Sequence, residues 1–239
     1  MGRRPRVRTT WKNHCLPSWP TAVHRVRDWI GETAEAVAGR LRDEIIRGDL
    51  VPGTLLRQEA LARRFETSRM PIRDGLKMLE REGLVVLPVN RSARVSPLDP
   101  DSLREINEMR AVAEPLALKH AIPEISERQI GVAEAIQDEA ELAGIEAFPR
   151  LNAAFHAALL APCGRPRLLA HIAMLNDLSE RYFHIAAVEM DYAERSHHEH
   201  RDLLETCKKR DAPAACQMLE RHINCASELM LDALQAADR

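Results

Sequence analysis

The sequence predicts a mainly α-helical protein in two parts: a winged helix-turn-helix at residues 32–97 and an antiparallel six- to seven-helix bundle at residues 98–239. Three observations predict it. Between Thr33 and Gly83, apolar residues recur at spacings of three and four in three short segments separated by turn residues, and a β-branched hairpin pattern follows. Beyond Pro97 the helical spacing continues to the end of the chain, with no strand-like alternation. Charge divides at the same place: residues 1–97 hold 19 Lys+Arg against 11 Asp+Glu (+8), the remainder 15 against 25 (−10), and the two sum to the −2 of the whole chain. Such asymmetry suits a half that meets nucleic acid and a half that does not.

Taken in order, Thr33 to Ile46 carries Val37, Leu41 and Ile45 on one face and stops at Gly48. Pro52-Gly53 makes a turn, and Arg57 to Phe65 gives a second helix with Leu61, Ala62 and Phe65. Glu66-Thr67-Ser68 is the short connection expected between the two helices of a helix-turn-helix. Ser68 suits the N-cap of a third helix and Gly83 its C′ stop. On that helix Ile72, Leu76 and Leu79 form a core stripe, while Arg69, Arg73 and Lys77 recur at every fourth residue on the other side. Leu84-Val85-Val86-Leu87, a turn at Asn90-Arg91-Ser92-Ala93 and a return strand from Arg94 read as a wing. A basic face alone is the ordinary dress of a solvated helix. In the order helix-turn-helix-wing it suits the DNA major groove, where Arg reads guanine edges and Lys pairs with phosphate. The candidate DNA contacts are Arg69, Arg73 and Lys77, with Ser68, Arg57 and Arg91 beside them.

Residues 34–97 resemble the DNA-binding domain of the GntR family of bacterial transcription regulators. The match is carried by Ile45-Ile46-Arg47-Gly48, Pro52-Gly53, Leu61-Ala62, Ser68-Arg69-Met70-Pro71-Ile72-Arg73, Leu79-Glu80-Arg81-Glu82-Gly83-Leu84 and Asn90-Arg91. The resemblance implies DNA contact by Arg69 and Arg73. Two departures stand out: Gly75 where the family usually has Ala, at a cost of about 1 kcal/mol in a helix interior, and Ser92 where the wing usually has Gly.

The first 28 residues carry Arg3, Arg4, Arg6, Arg8, Lys12, Arg25 and Arg27 against the single acid Asp28, amid three prolines. They read either as a basic arm for phosphate contact or as a disordered leader; residues 1–31 are set apart as an extension. Five cysteines, Cys15, Cys163, Cys207, Cys216 and Cys225, show an odd count and no CxxC pair, as expected of reduced cytosolic thiols. Cys207, Cys216 and Cys225 are nine apart, which turns a helix by about 900° and faces alternate members oppositely. No apolar run approaches the roughly 18 residues that span a membrane, so the expected location is cytoplasmic.

In the second half Asp99-Pro100 opens a helix to about Ala121, with Leu103, Ile106 and Leu116 expected toward the core. Ser126 with Gln129 forms a capping box for a helix to about Leu142. Further helices are expected near 145–161, 165–188, 191–209 and 212–236, and short connections make the set an antiparallel bundle. An aromatic content of 4% argues for a polar rather than an aromatic-lined pocket.

Asn152 and His156 stand at i and i+4 on one helix face. His200 lies 11 residues before the turn residue Asp211 and His222 lies 11 after it, so a helical hairpin would set them at one level. Three imidazoles converging in a bundle are a metal constellation, although each taken singly is an ordinary core or surface residue. His197 and His198 point elsewhere on their helix, and His120, His171 and His184 lack partners at metal spacing.

This half resembles the FCD ligand-binding domain of the FadR-type GntR branch, through Asn152-Ala-Ala-Phe155-His156, Glu199-His200-Arg201, Lys209-Arg210-Asp211 and Glu220-Arg221-His222-Ile223. The resemblance implies Asn152, His156, His200 and His222 as metal ligands. Many members have Asp in place of Asn152, and a neutral amide there leaves a divalent ion with two uncompensated charges, which favours an anionic organic acid as occupant. Zinc is the default by ligand type, with nickel and manganese open. Arg110, four residues before Glu114, reads either as a clamp for an effector carboxylate or as a surface salt bridge.

The expected protein is therefore a ligand-responsive, homodimeric regulator, a repressor, that binds an inverted repeat in double-stranded DNA, takes up a divalent metal and a small carboxylate, and is not an enzyme. Two rivals are the same regulator without metal, binding an apolar or acyl effector, and a metal-dependent hydrolase. Against the hydrolase, no Glu or Asp stands in a HExxH-like relation to the three histidines.

Overall fold

The structure, a computed structural model, describes residues 32–89, 91–183 and 190–237. The basic extension of residues 1–31, the wing residue Asn90, and His184 lie outside them.

The N-terminal part is built from α1 (Ala34–Ile46), β1 (Leu55–Leu56), α2 (Gln58–Arg64), α3 (Arg69–Arg81), β2 (Val85–Val86) and β3 (Ala93–Val95). Thr33 caps α1 by accepting from the Ala36 amide at 3.2 Å. Ser68 occupies the N-cap of α3 with extended backbone, but its hydroxyl makes no capping bond. Gly83 takes φ 77° and lets the Leu84 amide reach the Leu79 carbonyl at 2.9 Å, which closes α3 as the sequence predicts. The wing is a three-stranded antiparallel sheet in the order β1-β3-β2, not the two-stranded hairpin expected. β1 is only two residues long, too short to show alternation, and is recruited by pairing Leu55 with Arg94 and Leu56 with Ala93.

Val37, Leu41, Leu61, Phe65, Ile72, Leu76, Leu79, Leu84 and Val95 form one core. Gly75 sits where α3 crosses α1. A Cβ there would lie 3.0 Å from the Ala34 carbonyl oxygen and 3.1 Å from Val37 Cγ1, so the glycine is set by helix approach. No non-glycine residue around the wing turn has positive φ among the described residues, so Ser92 is accommodated without strain.

The C-terminal part contains α4 (Pro100–Ala121), α5 (Glu127–Leu142), α6 (Phe148–Leu160), α7 (Pro166–Phe183), α8 (Met190–Lys208) and α9 (Ala212–Ala237), with short 3-10 turns at Ile145–Ala147 and Ala161–Cys163. The Asp99 cap of α4 and the Ser126/Gln129 capping box of α5 are both formed. Leu116 does not face the core. It is 46% exposed, because the buried stripe of α4 runs through Leu103, Asn107, Arg110, Glu114, Leu118 and Ala121. The hairpin between α8 and α9 turns at Arg210, whose φ is 55°. Its guanidinium donates to the Ile122 carbonyl at 2.8 Å and the Ile125 carbonyl at 2.9 Å, tying the hairpin to the end of α4.

One helix touches both parts. Leu178 of α7 packs against the winged-helix core and against the cluster of Leu103, Leu175 and Tyr182. Arg181 donates to the Ser96 carbonyl at 2.7 Å, and the Tyr182 hydroxyl donates to the Asp99 carbonyl at 3.2 Å, which fixes the linker along α7.

Candidate metal centre and nucleic-acid interface

The bundle brings His156 of α6, His200 of α8 and His222 of α9 together, with one nitrogen from each within 4.8 Å of the others and all three residues buried. The equal spacing about the hairpin turn sets His200 and His222 level, with 3.4 Å between their Nε2 atoms. Two nitrogens held by zinc at roughly 2.0–2.1 Å in a tetrahedron lie about 3.3 Å apart.

The partners of the other ring nitrogens fix which way each imidazole faces. Burial would push the Glu114 carboxyl up, but Arg110 and His156 offset this and hold it at about 2, so it is ionised and only accepts. It takes the Nδ1–H of His156 at 2.7 Å and the Nε–H of Arg110 at 2.9 Å. Glu199, lowered by its bonds to His222 and Arg195, takes the Nδ1–H of His222 at 2.7 Å. His200 is set by a neutral group, Gln137, which is wholly buried. The Gln137 amide nitrogen faces Glu141 at 3.0 Å. Glu141 is held at about 2, first by its bond to Arg201, so the facing atom must be a donor. The amide oxygen therefore faces His200 Nδ1, at 2.8 Å, and that nitrogen carries the proton. Phe155 stacks on His200 with ring centroids 4.0 Å apart and completes its orientation.

All three Nδ1 atoms thus donate outward and all three Nε2 atoms face inward. His156 Nε2 and Asn152 Oδ1 are buried with no hydrogen-bond partner among the described residues. Burial and the neighbouring imidazoles push the His200 ring well below its ordinary range, and burial also lowers His222. Neutral imidazoles oriented by carboxylate or amide acceptors are the donor set and surrounding shell that a divalent metal requires. The residues present fit such an ion.

Of these, Glu114 was visible in the sequence only as a partner for Arg110, and Gln137 gave no signal at all. Arg110 itself is 5% exposed. Its pairing with Glu114 is a buried one, not a surface salt bridge, and Nη1 also reaches Asn107 at 3.2 Å and Ser179 at 3.0 Å. Nη2 makes no hydrogen bond among the described residues. A cavity of about 10 Å³, the size of one water, lies beside Arg110, Asn152, Asn176, Ser179 and Glu180. A larger groove of about 550 Å³ lies on the outer side of α5 and α8. Polar groups predominate in the first, and the second mixes Ala, Ile and Phe148 with five charged or histidine side chains. His197 lines that groove, and His120 and His171 stay away from the cluster.

On the other part, Arg69, Arg73 and Lys77 are exposed on α3. Arg69 meets Glu59 of α2 at 3.1 Å; Arg73 and Lys77 both approach Asp74, at 3.5 and 3.7 Å. These solvent-exposed pairs are weak and readily exchanged for phosphate. Arg57 at the start of α2, Ser68 and Arg91 at the wing turn are exposed as well. Arg42 and Glu82 instead form a two-point pair at 2.6 and 2.8 Å that ties α1 to the end of α3.

Both parts match known families. Residues 33–95 match the family described as bacterial regulatory proteins, gntR family, and residues 105–224 match the FCD domain. The chain is 30% identical over 202 residues to the HTH-type transcriptional regulator YdhC of Bacillus subtilis (strain 168), covering 82% of this chain and 90% of that protein. It is 27% identical over 195 residues to the HTH-type transcriptional repressor GlaR of Escherichia coli (strain K12), covering 77% and 89%. Among solved structures, a GntR family member from Pseudomonas syringae pv. tomato str. DC3000 shares 26% identity at a TM-score of 0.53, covering 86% of this chain and 87% of that one. A transcriptional regulator GntR from Rhodococcus sp. RHA1 shares the fold at a TM-score of 0.74 and 20% identity, covering 83% and 97%. With a helix-turn-helix, a wing and a helical bundle in one chain, and both halves matched in that order, the protein is not an enzyme but belongs to the gntR family of bacterial transcription regulators, in the branch that carries an FCD domain.

Proposed function

We propose that the protein is a cytoplasmic repressor that binds an inverted-repeat operator as a homodimer, and that its bundle holds a divalent metal through Asn152, His156, His200 and His222 and senses a small organic acid there. The observation that carries the metal reading is the common sense of three hydrogen bonds: each imidazole gives its Nδ1 proton to an acceptor and turns Nε2 inward. His200 Nε2 and His222 Nε2 lie 3.4 Å apart, with the Ser196 hydroxyl 3.4 Å from the first, and a cation among the inward nitrogens would engage all three rings at once. Zinc suits three imidazoles, and such an ion supplies Lewis-acid attraction for an anionic group.

Charge supports an acid as effector. Glu114 is matched by Arg110 and Glu199 by Arg195, so the surroundings are neutral and a divalent ion adds two positive charges. Asn152 does not reduce them. Arg110 Nη2 is the clamp atom left over. The adjoining cavity of about 10 Å³ cannot take even acetate as it stands, so an acid must displace side chains, and the reaction to that displacement is a means of signalling. α7 supplies the route: Ser179 bonds Arg110, while Leu178 and Arg181 touch the winged helix and the linker.

DNA contact is assigned to Arg69 and Arg73 at base edges, to Lys77 at phosphate, and to Ser68, Arg57 and Arg91 beside them. Met109, Val112 and Leu116 form an exposed apolar stripe on α4, which supports pairing of two copies. The repressor reading draws on the similarity to GlaR, which is named a repressor.

Elemental analysis of the purified protein and of its His222→Ala variant tests the metal, and a thermal-shift series tests the acid. Wild type should carry one metal per chain, His222→Ala should lose it while still binding DNA, and small carboxylates should raise Tm. Full occupancy in His222→Ala refutes the centre. Inert acids with stabilising long-chain apolar ligands would move the effector to the apolar reading.

A further inference from the structure

We propose that the 550 Å³ groove between α8 and the α5–α6 turn is a second small-molecule site, built for an uncharged aryl or cyclic amide and separate from the histidine cluster. Its volume falls within the range of ligand sites, roughly 300–1,000 Å³. Ala140, Ile145, Phe148 and Ala193 supply apolar wall, and Phe148 meets His197 edge-to-face with centroids 5.6 Å apart.

Gln137 fixes the hydrogen-bonding sense of this site. Its amide nitrogen gives one proton to Glu141 and the other to His197 Nδ1, at 3.0 and 2.9 Å. His197 Nδ1 is therefore an acceptor, and the neutral ring carries its proton on Nε2. That nitrogen makes no hydrogen bond among the described residues and is not sealed from solvent. It is a donor offered to the groove, and it asks for a carbonyl oxygen.

The charges of the rim exclude an anion. Arg201 is spent on Glu141 at 2.8 Å and on Asp138 at 2.6 Å, and Glu194 has no ion pair among the described residues. Among the groups that line the groove, one cation, Arg201, stands against two carboxylates, Glu141 and Glu194, and Arg201 is shared with Asp138 behind them, which leaves the rim negative. An amide answers both demands, with its C=O toward His197 and its N–H toward the acids. A ligand that could only donate would leave His197 Nε2–H unpaired. To bind through His197 it would have to turn the Gln137 amide round, which would move the proton of His200 to the nitrogen facing the cluster. The same buried amide thus sets the polarity of both sites.

Three isosteric probes test this on the metal-free full-length protein by calorimetric titration: benzamide, benzoate and benzamidinium. Benzamide should saturate one site per chain. Benzoate, repelled by the rim and lacking the N–H, should bind about tenfold more weakly, the loss expected for one net hydrogen bond. Benzamidinium, drawn by the rim but lacking an acceptor, should leave the His197 Nε2–H resonance where it stands in the free protein. Gly144 lines the groove at ordinary φ with nothing within 4 Å of an added Cβ, so Gly144→Phe should fill the groove without unfolding the chain. It should abolish benzamide binding and leave Zn²⁺ affinity unchanged. Long-range ¹H–¹⁵N spectra should show His197 protonated on Nε2 and His200 on Nδ1. The proposal is overturned if benzamide does not bind, if benzoate binds as well, if benzamidinium shifts the His197 Nε2–H resonance as benzamide does, if Gly144→Phe binds benzamide like wild type, or if His197 carries its proton on Nδ1. None of these outcomes depends on whether the histidine cluster holds a metal or an acid.

Discussion

Glu114 and His156 meet at 2.7 Å in the interior of the bundle, both fully shielded from water, with Arg110 closing the other side of the carboxylate. This contact decides that His156 turns Nε2 inward. Glu114→Gln keeps the shape, removes the charge that balances Arg110, and lets the amide present N–H to Nδ1. Breaking a buried pair from one side costs about 3–5 kcal/mol. The variant should show that loss by denaturant titration and bind Zn²⁺ at least an order of magnitude more weakly, as loss of an outer-shell partner does. Unchanged zinc affinity in a folded Glu114→Gln protein would remove the orienting role given to this carboxylate.

Base and phosphate contacts separate by salt and sequence. Arg73→Ala should cost about 1–3 kcal/mol on the operator and relax its sequence preference, while Lys77→Ala should weaken all sequences alike and lower the salt slope by about one. Arg69→Ala should resemble Arg73→Ala, less the weak pair with Glu59 that it gives up. Gel shifts at several salt concentrations measure both quantities. Operator affinity untouched by Arg73→Ala would unseat α3 as the reading helix.

Gly75→Ala tests whether packing or helix propensity governs that position. Propensity alone predicts a gain of about 1 kcal/mol. The Ala34 carbonyl at 3.0 Å from the new Cβ is backbone and gives way only if α1 moves. Overpacking costs about 1–3 kcal/mol, so the net change should be a loss of roughly 1 kcal/mol. A raised Tm would show that α1 shifts freely.

Two carboxylates on α7 should make stability fall as pH rises. Burial raises Asp177 from 3.8 to about 6, against the pull of Arg42 and with the push of Glu82 and Asp43. Burial and Asp177 raise Glu180 from 4.5 to about 7, against Arg150. In each case the folded state holds the proton more tightly than the unfolded one. The contribution is fully present below the ordinary carboxylate range and is lost as pH climbs through about 6 and about 7. Asp177→Asn and Glu180→Gln should therefore flatten the decline in Tm between about pH 4 and 7, the span from the ordinary values of these two groups to their raised ones. An equal slope in the double variant would assign the decline elsewhere.

The sequence by itself determined the order of elements, because local signals fix them. Thr33, Asp99 and Ser126 mark helix starts by capping, Gly83 marks a stop by its positive φ, and the stripe of Ile72, Leu76 and Leu79 faces inward by the helical repeat alone. The level placement of His200 and His222 was equally legible, since a hairpin needs only counting from its turn. Tertiary structure decided the rest. β1 exists because β3 offers it a pairing edge, and Leu116 faces outward because the buried stripe of α4 follows Arg110 and Glu114. Gly75 is required by a neighbour 41 residues away in sequence, as the pairing of Gly75 with Ala34 counts out. Gln137 reaches His200 across 63 residues, and a glutamine on an amphipathic helix carries no local mark of the imidazole it will meet. Capping and periodicity are properties of neighbours in the chain, whereas the proton on each histidine belongs to whichever distant acceptor the packing delivers.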